Sequence, residues 1–243
     1  MRRSIRGRSA ALASVFLFSL PLVTACAWIG GGDESEPAPP RQRSRPELPT
    51  AGPAADVARE MQAMFDEIAE IGADPDIDAD HKRLAVAWRM SEQLDYATLT
   101  RAALGPLAET FTREQYADFA HEYARFVTWS FARRPAATRG VPIIVQEAEY
   151  DAAKELVLVK ARGVATASGY PGVRRLRNLE PTRIALTLAK RRGDWRVGRV
   201  VLEGVDVGIT FQAQFRSVLD RSDPDTLIAE LRERNEKNLP DDA

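Results

Sequence analysis

The chain has 243 residues, 44% of them hydrophobic, which is enough for one domain with a buried core and additional segments outside it. Its formal net charge at pH 7 is -1, so bulk charge does not draw it to nucleic acid or to anionic lipid surfaces. Its one cysteine, Cys26, cannot form an internal disulfide.

The first 26 residues resemble a bacterial lipoprotein signal. Four arginines and no acid precede an apolar run from Ala10 to Ala25, which is short for a membrane span. The run ends in LVTAC, so Cys26 follows small residues as in a lipobox. We predict removal of residues 1–25 and lipidation of Cys26, with a signal peptide and an incidental cysteine as the alternative. Cleavage would remove four of the 34 basic residues and none of the 35 acidic ones, and the formal charge would change from -1 to -5.

Residues 26–55 are predicted to form a disordered tether outside the folded domain, which we place at residues 56–239. Six prolines alternate with glycines and with charges of both signs, and almost no residue could enter a core. A flexible chain of this length spans roughly 30 Å on average and about 100 Å when stretched. Ala27, and not Asp, follows Cys26, which resembles outer-membrane sorting in enteric-type bacteria and favours an anchor in that membrane.

Helical spacing of apolar residues predicts four helices in the first half of the domain. The first three run over Val57–Ile71, Leu84–Leu94 and Tyr96–Leu104, and a Gly-Pro pair follows the third. Thr112 then precedes Gln115 by three residues, which is the spacing of a capping box. The long helix that follows carries an aromatic stripe. Such a stripe forms plain core in most proteins, whereas in a lipid carrier it would be one wall of a cavity.

From residue 141 the apolar period changes to two, which indicates strands. The four predicted strands are Ile143–Tyr150, Leu156–Ala167, Arg183–Arg191 and Trp195–Leu202. A turn at Arg192-Gly193 joins the last two as a hairpin, and alternation predicts one shared face for Trp195, Val197 and Val201. Two amphipathic helices follow the strands. This order predicts an α+β fold, with a four-stranded antiparallel sheet covered by several helices.

No catalytic or metal-binding constellation stands out in the sequence. His121-Glu122 begins like a zinc-protease motif, but Arg125 occupies the position of the second ligand. Four alternating aspartates between Asp74 and Asp80 lack the glycine and the closing glutamate of a calcium loop, so we interpret them as a turn and a helix cap. Serine-nucleophile and P-loop motifs are absent. We therefore predict a protein that is not an enzyme and uses neither a cofactor nor a metal.

Two segments of the domain resemble a known family. The stretch DWRVGRVVLEGVDVGITFQAQFRSVL, followed by LIAELRERN, is similar to the C-terminal signature of the MlaC-type phospholipid-binding proteins, also called toluene-tolerance proteins. The matching positions are Trp195, Val197, Val200, Glu203, Gly204, Val205, Phe211, Gln214, Phe215, Leu227, Ile228, Leu231 and Arg232. Upstream, Asp95-Tyr96, Leu104-Gly105 and the segment from Thr112 to Phe119 match as well. Asp206 stands where the family commonly has Ser, and Ala108 or a neighbour replaces the usual Trp.

This resemblance implies a periplasmic carrier that moves phospholipid between the inner and outer membranes as part of an ABC-type transport system. The implied partners are an inner-membrane ABC complex and an outer-membrane lipoprotein–porin complex, with no nucleic acid. The acyl chains would lie in an apolar cavity between sheet and helices, with the head group outside. The candidate wall residues, each of which could instead be closely packed core, are Tyr123, Phe126, Val127, Val159, Leu186, Val197, Val205, Ile209 and Phe215. A tethered scaffold or binding module of the NTF2-like kind, without lipid transport, is the alternative.

Overall fold

The computed structural model describes residues 48–133, 139–163 and 182–237. These ranges contain helices α1 (Pro53–Ala73), α2 (Ala79–Ser91), α3 (Tyr96–Leu104), a 3-10 helix (Gly105–Thr110), α4 (Arg113–Ala132), strands β1 (Ile143–Asp151), β2 (Leu156–Gly163), β3 (Arg183–Arg191), β4 (Asp194–Leu202) and β5 (Val205–Asp206), and helices α5 (Val207–Leu219) and α6 (Pro224–Glu236). Several predictions lie outside the described residues: the signal, the lipidation site Cys26, the tether up to residue 47, and the end of the second strand at residues 164–167.

Side-chain caps determine where most of the helices begin. The capping box predicted for α4 is confirmed, because the Gln115 N–H donates to Thr112 Oγ1 at 3.2 Å and the Thr112 N–H donates to Gln115 Oε1 at 3.0 Å. The other side-chain caps are aspartates that accept from backbone N–H groups of the first helical turn, namely Asp78, Asp95, Asp206 and Asp223.

The alternating aspartates before α2 form a turn and a helix cap, as the sequence indicated. Asp74 accepts from the Asp76 N–H at 2.8 Å, and Asp78 accepts from the N–H groups of Asp80 and His81 at 2.9 and 3.0 Å. Their short side chains therefore bind the local backbone, which is the ordinary role of aspartate ahead of a helix.

Helix α2 ends at Ser91, so the prediction that the second helix continues to Leu94 is wrong. Instead the backbone around Leu94 bridges to β4 in parallel orientation. The Val197 N–H donates to the Gln93 carbonyl at 2.7 Å, and the Asp95 N–H donates to the Val197 carbonyl at 2.9 Å. The free edge of β4 thus provides hydrogen-bond partners for backbone groups that would otherwise bond within a longer helix.

The sheet is an antiparallel meander in the order β1-β2-β3-β4-β5. The predicted hairpin is present, with Arg191 paired to Asp194 around Arg192 and Gly193. The sheet has one strand more than the four predicted, because the two residues of β5 pair with the end of β4. The β4–β5 turn places both Glu203 (φ 51°) and Gly204 (φ 81°) at positive φ, as a tight two-residue hairpin requires.

An irregularity in β4 changes which side chains share a face. Thr187 pairs with Arg199 and Leu188 with Val197, so Gly198 has no partner of its own in β3. After this bulge Val200, which is 5% exposed, takes the place predicted for Val201 on the face of Trp195 and Val197. A Cβ at Gly198 would lie 2.9 Å from a methyl carbon of Thr98 on α3, so this close approach of helix and strand suits glycine.

The helices pack against the sheet at two places and against one another elsewhere. Helix α1 packs on β1 and β2, whereas α3 and α5 pack on β4. Helix α4 packs on α2, α3 and α6. The result is the predicted α+β arrangement, a sheet with helices packed against it. Within the described ranges, no helix combines the length and the apolarity that crossing a bilayer requires.

Candidate functional site

One face of the sheet is apolar across its four long strands. In the observed register Val159 lies opposite Leu186, Leu186 opposite Val200, and Leu188 opposite Val197, so these side chains form one continuous surface. The buried members of this apolar sheet face are Val145, Ala148, Val157, Val159, Ala161, Leu186, Leu188, Trp195, Val197 and Val200. The opposite face carries charged pairs such as Lys160 with Glu147, so only the apolar face can serve as a wall for apolar groups.

An aromatic cluster forms between α4 and α5. Phe119 and Tyr123 of α4 stack at 5.6 Å between ring centroids, and Phe211 and Phe215 of α5 stack at 5.9 Å. Edge-to-face contacts join the two pairs, with Tyr123 lying 5.7 Å from Phe211 and 5.8 Å from Phe215. Phe126 extends the cluster through its own contact with Phe211 at 5.4 Å. The i, i+4 spacing of rings on both helices brings these residues together.

The structure places the nine candidate wall residues in three kinds of position. Six are buried: Tyr123, Val127, Val159, Leu186, Val197 and Phe215. Phe126 is half-buried. Val205 and Ile209 are 56% and 63% exposed, because the first lies in the short edge strand β5 and the second on the outward side of the first turn of α5. Tyr123, Phe126 and Phe215 belong to the aromatic cluster, and Val159, Leu186 and Val197 to the apolar sheet face.

Two residues of the aromatic cluster were not among the candidate wall residues. Phe119 is fully buried and contacts three other rings, and Phe211 is 7% exposed and also contacts three. Each lies four residues before a candidate, Tyr123 or Phe215. Extending the candidate set by one helical turn in each direction would have found both of them.

The Glu-Gly pair of the resemblance has a structural role at the end of the sheet. Glu203 Oε1 accepts from the Arg183 N–H at 2.6 Å, and Oε2 accepts from Arg183 Nε at 3.2 Å. The Glu203 N–H also donates to the Arg183 carbonyl at 3.0 Å. Glu203 thus fixes the start of β3 to the turn that leads into β5 and α5.

Asp206 performs the capping role that a serine could also perform, and it adds a charge. Its Oδ1 accepts from the Ile209 N–H at 3.1 Å, while Oδ2 accepts from Arg199 Nε at 2.6 Å. Burial by itself would raise the pKa of Asp206, but the bonds from Arg199 and from the helix N–H outweigh burial and hold the pKa below its usual value. Asp206 is therefore ionised and paired at the start of α5.

A second ionised carboxylate, Glu122, ties α4 to α6. Its side chain is 4% exposed, accepts from Arg232 Nε at 3.0 Å and from Asn235 Nδ2 at 2.9 Å, and pairs with Arg125 at 3.1 Å. Burial opposes ionisation, yet the bonds from Asn235 and Arg232 and the charge of Arg125 hold the pKa of Glu122 below its usual value. This network fixes one side of the aromatic helix while its other side packs in the aromatic cluster.

Three comparisons with known proteins bear on these observations. The model of the family described as MlaC protein matches residues 59–233. Among solved structures, the phospholipid-binding protein from Ralstonia solanacearum in complex with a phospholipid is similar, with a TM-score of 0.58 and 20% sequence identity. That match covers 76% of this chain and 99% of the Ralstonia chain, and at this identity it establishes a shared fold. The comparison with curated proteins finds no match.

Proposed function

Because the chain belongs to the MlaC family of phospholipid-binding proteins, we propose that it carries phospholipid through the periplasm, with the acyl chains held between sheet and helices. Membership in this family confirms the prediction that the protein is not an enzyme. The observation that supports the proposal most is that the Ralstonia protein, which shares the fold over 99% of its length, was solved with a phospholipid bound.

Two apolar surfaces of the structure support this proposal. The apolar sheet face, with Val159, Leu186 and Val197, would form one wall. The aromatic cluster and its neighbour Val127 would form the other. The exposed Val205 lies in β5 and the exposed Ile209 in the first turn of α5, the helix that carries two rings of the cluster, so we place both at the mouth of the cavity, with the head group outside.

A carrier of this kind removes the cost of moving acyl chains through water. Each methylene transferred from an apolar phase to water costs about 0.8 kcal/mol, so a lipid with about 30 methylenes would lose roughly 24 kcal/mol. A bilayer and an apolar cavity remove this cost almost equally, so exchange between them is nearly balanced. Direction must therefore come from partners, for which we propose an inner-membrane ABC complex and an outer-membrane lipoprotein–porin complex.

Native mass spectrometry tests the carrier proposal. The chain from Ala27 onward, exported behind a cleavable secretory signal in a bacterial host, should co-purify with phospholipid. Organic extraction should then release two-chain lipid that is identifiable by its mass. A bare protein mass in gentle conditions, with no lipid in the extract, would contradict the carrier proposal and favour a tethered scaffold of the NTF2-like kind with a filled core.

We further propose that Cys26 is lipidated and that the mature protein is tethered to a membrane, the outer membrane being favoured by Ala27. The lipobox-like residues before Cys26 support this proposal, and the Pro-rich segment that follows provides the reach. Replacing Cys26 by Ser should remove the lipid from the N-terminus, which mass spectrometry of the intact protein detects. A wild-type protein that begins at another residue and carries no acyl chains would contradict the proposed lipidation of Cys26.

A further inference from the structure

The face of the sheet opposite the apolar sheet face carries its side chains in an ordered pattern, and we call it the outer sheet face. The pairing register groups these side chains in three rows that cross β1, β2, β3 and β4. In strand order, the rows are Asp151, Leu156, Ala189 and Arg196, then Glu149, Leu158, Thr187 and Arg199, then Glu147, Lys160, Ala185 and Val201. The first two rows thus repeat one pattern, which is an acid, a leucine, a smaller residue and an arginine.

The two strands at the ends of these rows carry opposite charges. On the outer sheet face β1 presents only acids, whereas β4 presents an arginine in each of the first two rows. Glu149 is exposed and makes no ion pair with another described residue. Arg199 pairs with Asp206 through Nε, but its guanidinium has further N–H groups that can bind a second carboxylate. The outer sheet face therefore offers an unpaired acid on one side and an exposed cation on the other.

The two middle strands of the rows differ in the size of their side chains. In the first two rows β2 presents Leu156 and Leu158, whereas β3 presents Ala189 and Thr187. All four are partly exposed, unlike the buried side chains of the apolar sheet face. Leucine extends further from a sheet than alanine or threonine does, so β2 forms an apolar ridge and β3 a shallow groove beside it.

A second copy of this chain complements both properties. When two outer sheet faces meet about a two-fold axis parallel to the strands, β1 of one copy lies over β4 of the other, and β2 lies over β3. Glu149 then faces Arg199 of the second copy, and the leucine ridge of each copy enters the groove of the other. A two-fold axis across the strands would instead place β1 over β1, with acids opposed. We propose that the outer sheet face binds a second copy of this chain about an axis parallel to the strands.

The size of the outer sheet face indicates a weak and reversible dimer. Strands about 4.8 Å apart and residues that rise about 3.3 Å each give the three rows an area of roughly 400 Å² per copy. This is about half of what each partner buries in a standard interface, so the dimer belongs to the transient class. The walls proposed for the lipid lie on the other face of the sheet, so the dimer leaves them accessible and does not depend on the proposed function.

Sedimentation equilibrium of the chain from Ala27 onward, at low salt and from micromolar to millimolar concentration, tests this dimer. The wild type should change from monomer to dimer, and added salt should shift it back toward monomer because charged contacts are screened. Glu149→Arg places like charges opposite each other at two symmetric positions, so it should raise the dissociation constant about tenfold. Glu236→Arg is the matched control, because it makes the same charge change on α6, which packs on α4 and α5, and it should leave the constant unchanged.

A mixture of two variants tests the direction of the two-fold axis. Arg199→Glu should also prevent self-association, because it opposes Glu149 of the second copy with another acid. In an equimolar mixture of Arg199→Glu and Glu149→Arg, both contacts again join opposite charges, so a heterodimer should form where each variant alone is monomeric. The comparison of wild type with Glu149→Arg needs no change at Arg199, so the inference remains refutable even if Arg199→Glu is unstable without its bond to Asp206.

Three results would overturn the proposed dimer. The first is a wild type that remains monomeric at the highest concentration, which would leave the outer sheet face to solvent or to a different protein. The second is a dimer that Glu149→Arg and Glu236→Arg weaken equally. The third is a mixture of the two folded charge variants that stays monomeric. Lipid binding is measured separately by native mass spectrometry, so failure of the dimer and failure of the carrier function are distinguishable.

Discussion

Gly105 ends α3 in a conformation that a larger residue should not tolerate, and Gly105→Ala should therefore destabilise the domain. Its φ is +50° with ψ at -129°, a combination that side-chain-bearing residues rarely adopt. A Cβ at this position would lie 1.8 Å from Gln212 Nε2, which donates to the Leu104 carbonyl at 3.3 Å. The alanine would strain the backbone and would also displace the Gln212 amide from its bond.

Both effects can be given a magnitude. A residue held in a sparsely populated region of φ and ψ costs about 1–3 kcal/mol, and the lost hydrogen bond adds about 0.5–1.5 kcal/mol. The expected loss in the free energy of unfolding is thus about 2–4 kcal/mol. For a domain of this size each kcal/mol lowers the melting temperature by about 2–4 °C, so Gly105→Ala should melt roughly 5–15 °C below the wild type.

A double-mutant cycle separates the two effects. Chemical denaturation of wild type, Gly105→Ala, Gln212→Ala and the double variant gives the four free energies of unfolding. In the Gln212→Ala background the clash and the bond are both absent, so Gly105→Ala should cost about 1 kcal/mol less than in the wild type. Equal costs in both backgrounds would show that Gln212 does not occupy the space beside Gly105, and no cost in either would refute the backbone argument.

The other predictions concern the cavity and the two carboxylates. Leu186→Trp should fill the proposed cavity and abolish co-purified lipid with little change in melting temperature. Leu158→Trp is the control, because Leu158 lies on the opposite face of the sheet, and this variant should keep the lipid. A destabilisation of about 1–3 kcal/mol by Leu186→Trp would instead indicate closely packed core. The folded-state pKa of Glu122 is lowered, so its stabilisation is present above the unfolded pKa of about 4.3 and is lost as pH falls through the folded value. The melting temperature of Glu122→Gln should therefore fall less steeply than that of the wild type below about pH 5, and parallel curves would contradict this. Asp206→Ser should retain the cap of α5 and lower the free energy of unfolding by less than about 1 kcal/mol, as measured by denaturant titration. Asp206→Ala removes the cap and should lower it by about 0.5–2 kcal/mol. Equal losses in the two variants would mean that the ion pair with Arg199, and not the cap, stabilises the start of α5.

Local sequence determined the elements that depend on local contacts. The capping box of α4 and the turn at Arg192-Gly193 each involve residues within four positions of one another, so their side chains and φ angles act before any tertiary structure exists. The change of apolar period from helical spacing to two likewise identifies helices and strands. For the same reason the order of elements predicted the α+β class, and the combined motifs predicted the family.

Only the tertiary structure decided the features that arise from contacts distant in sequence. Leu94 does not continue α2 as predicted, because the edge of β4, about a hundred residues away in sequence, provides hydrogen-bond partners for the backbone on either side of it. Val200, and not Val201, lies on the apolar sheet face because Gly198 forms a bulge, and one extra residue in a strand turns every later side chain to the other face. The bulge lies where Thr98 of α3 closely approaches β4. Helical periodicity separates Ile209 from Phe211, but it could not show that Phe211 contacts Tyr123 and Phe126 of α4, or that Val205 remains exposed in the short strand β5. These properties depend on which surfaces α5 and β5 meet, and packing between elements alone determines that.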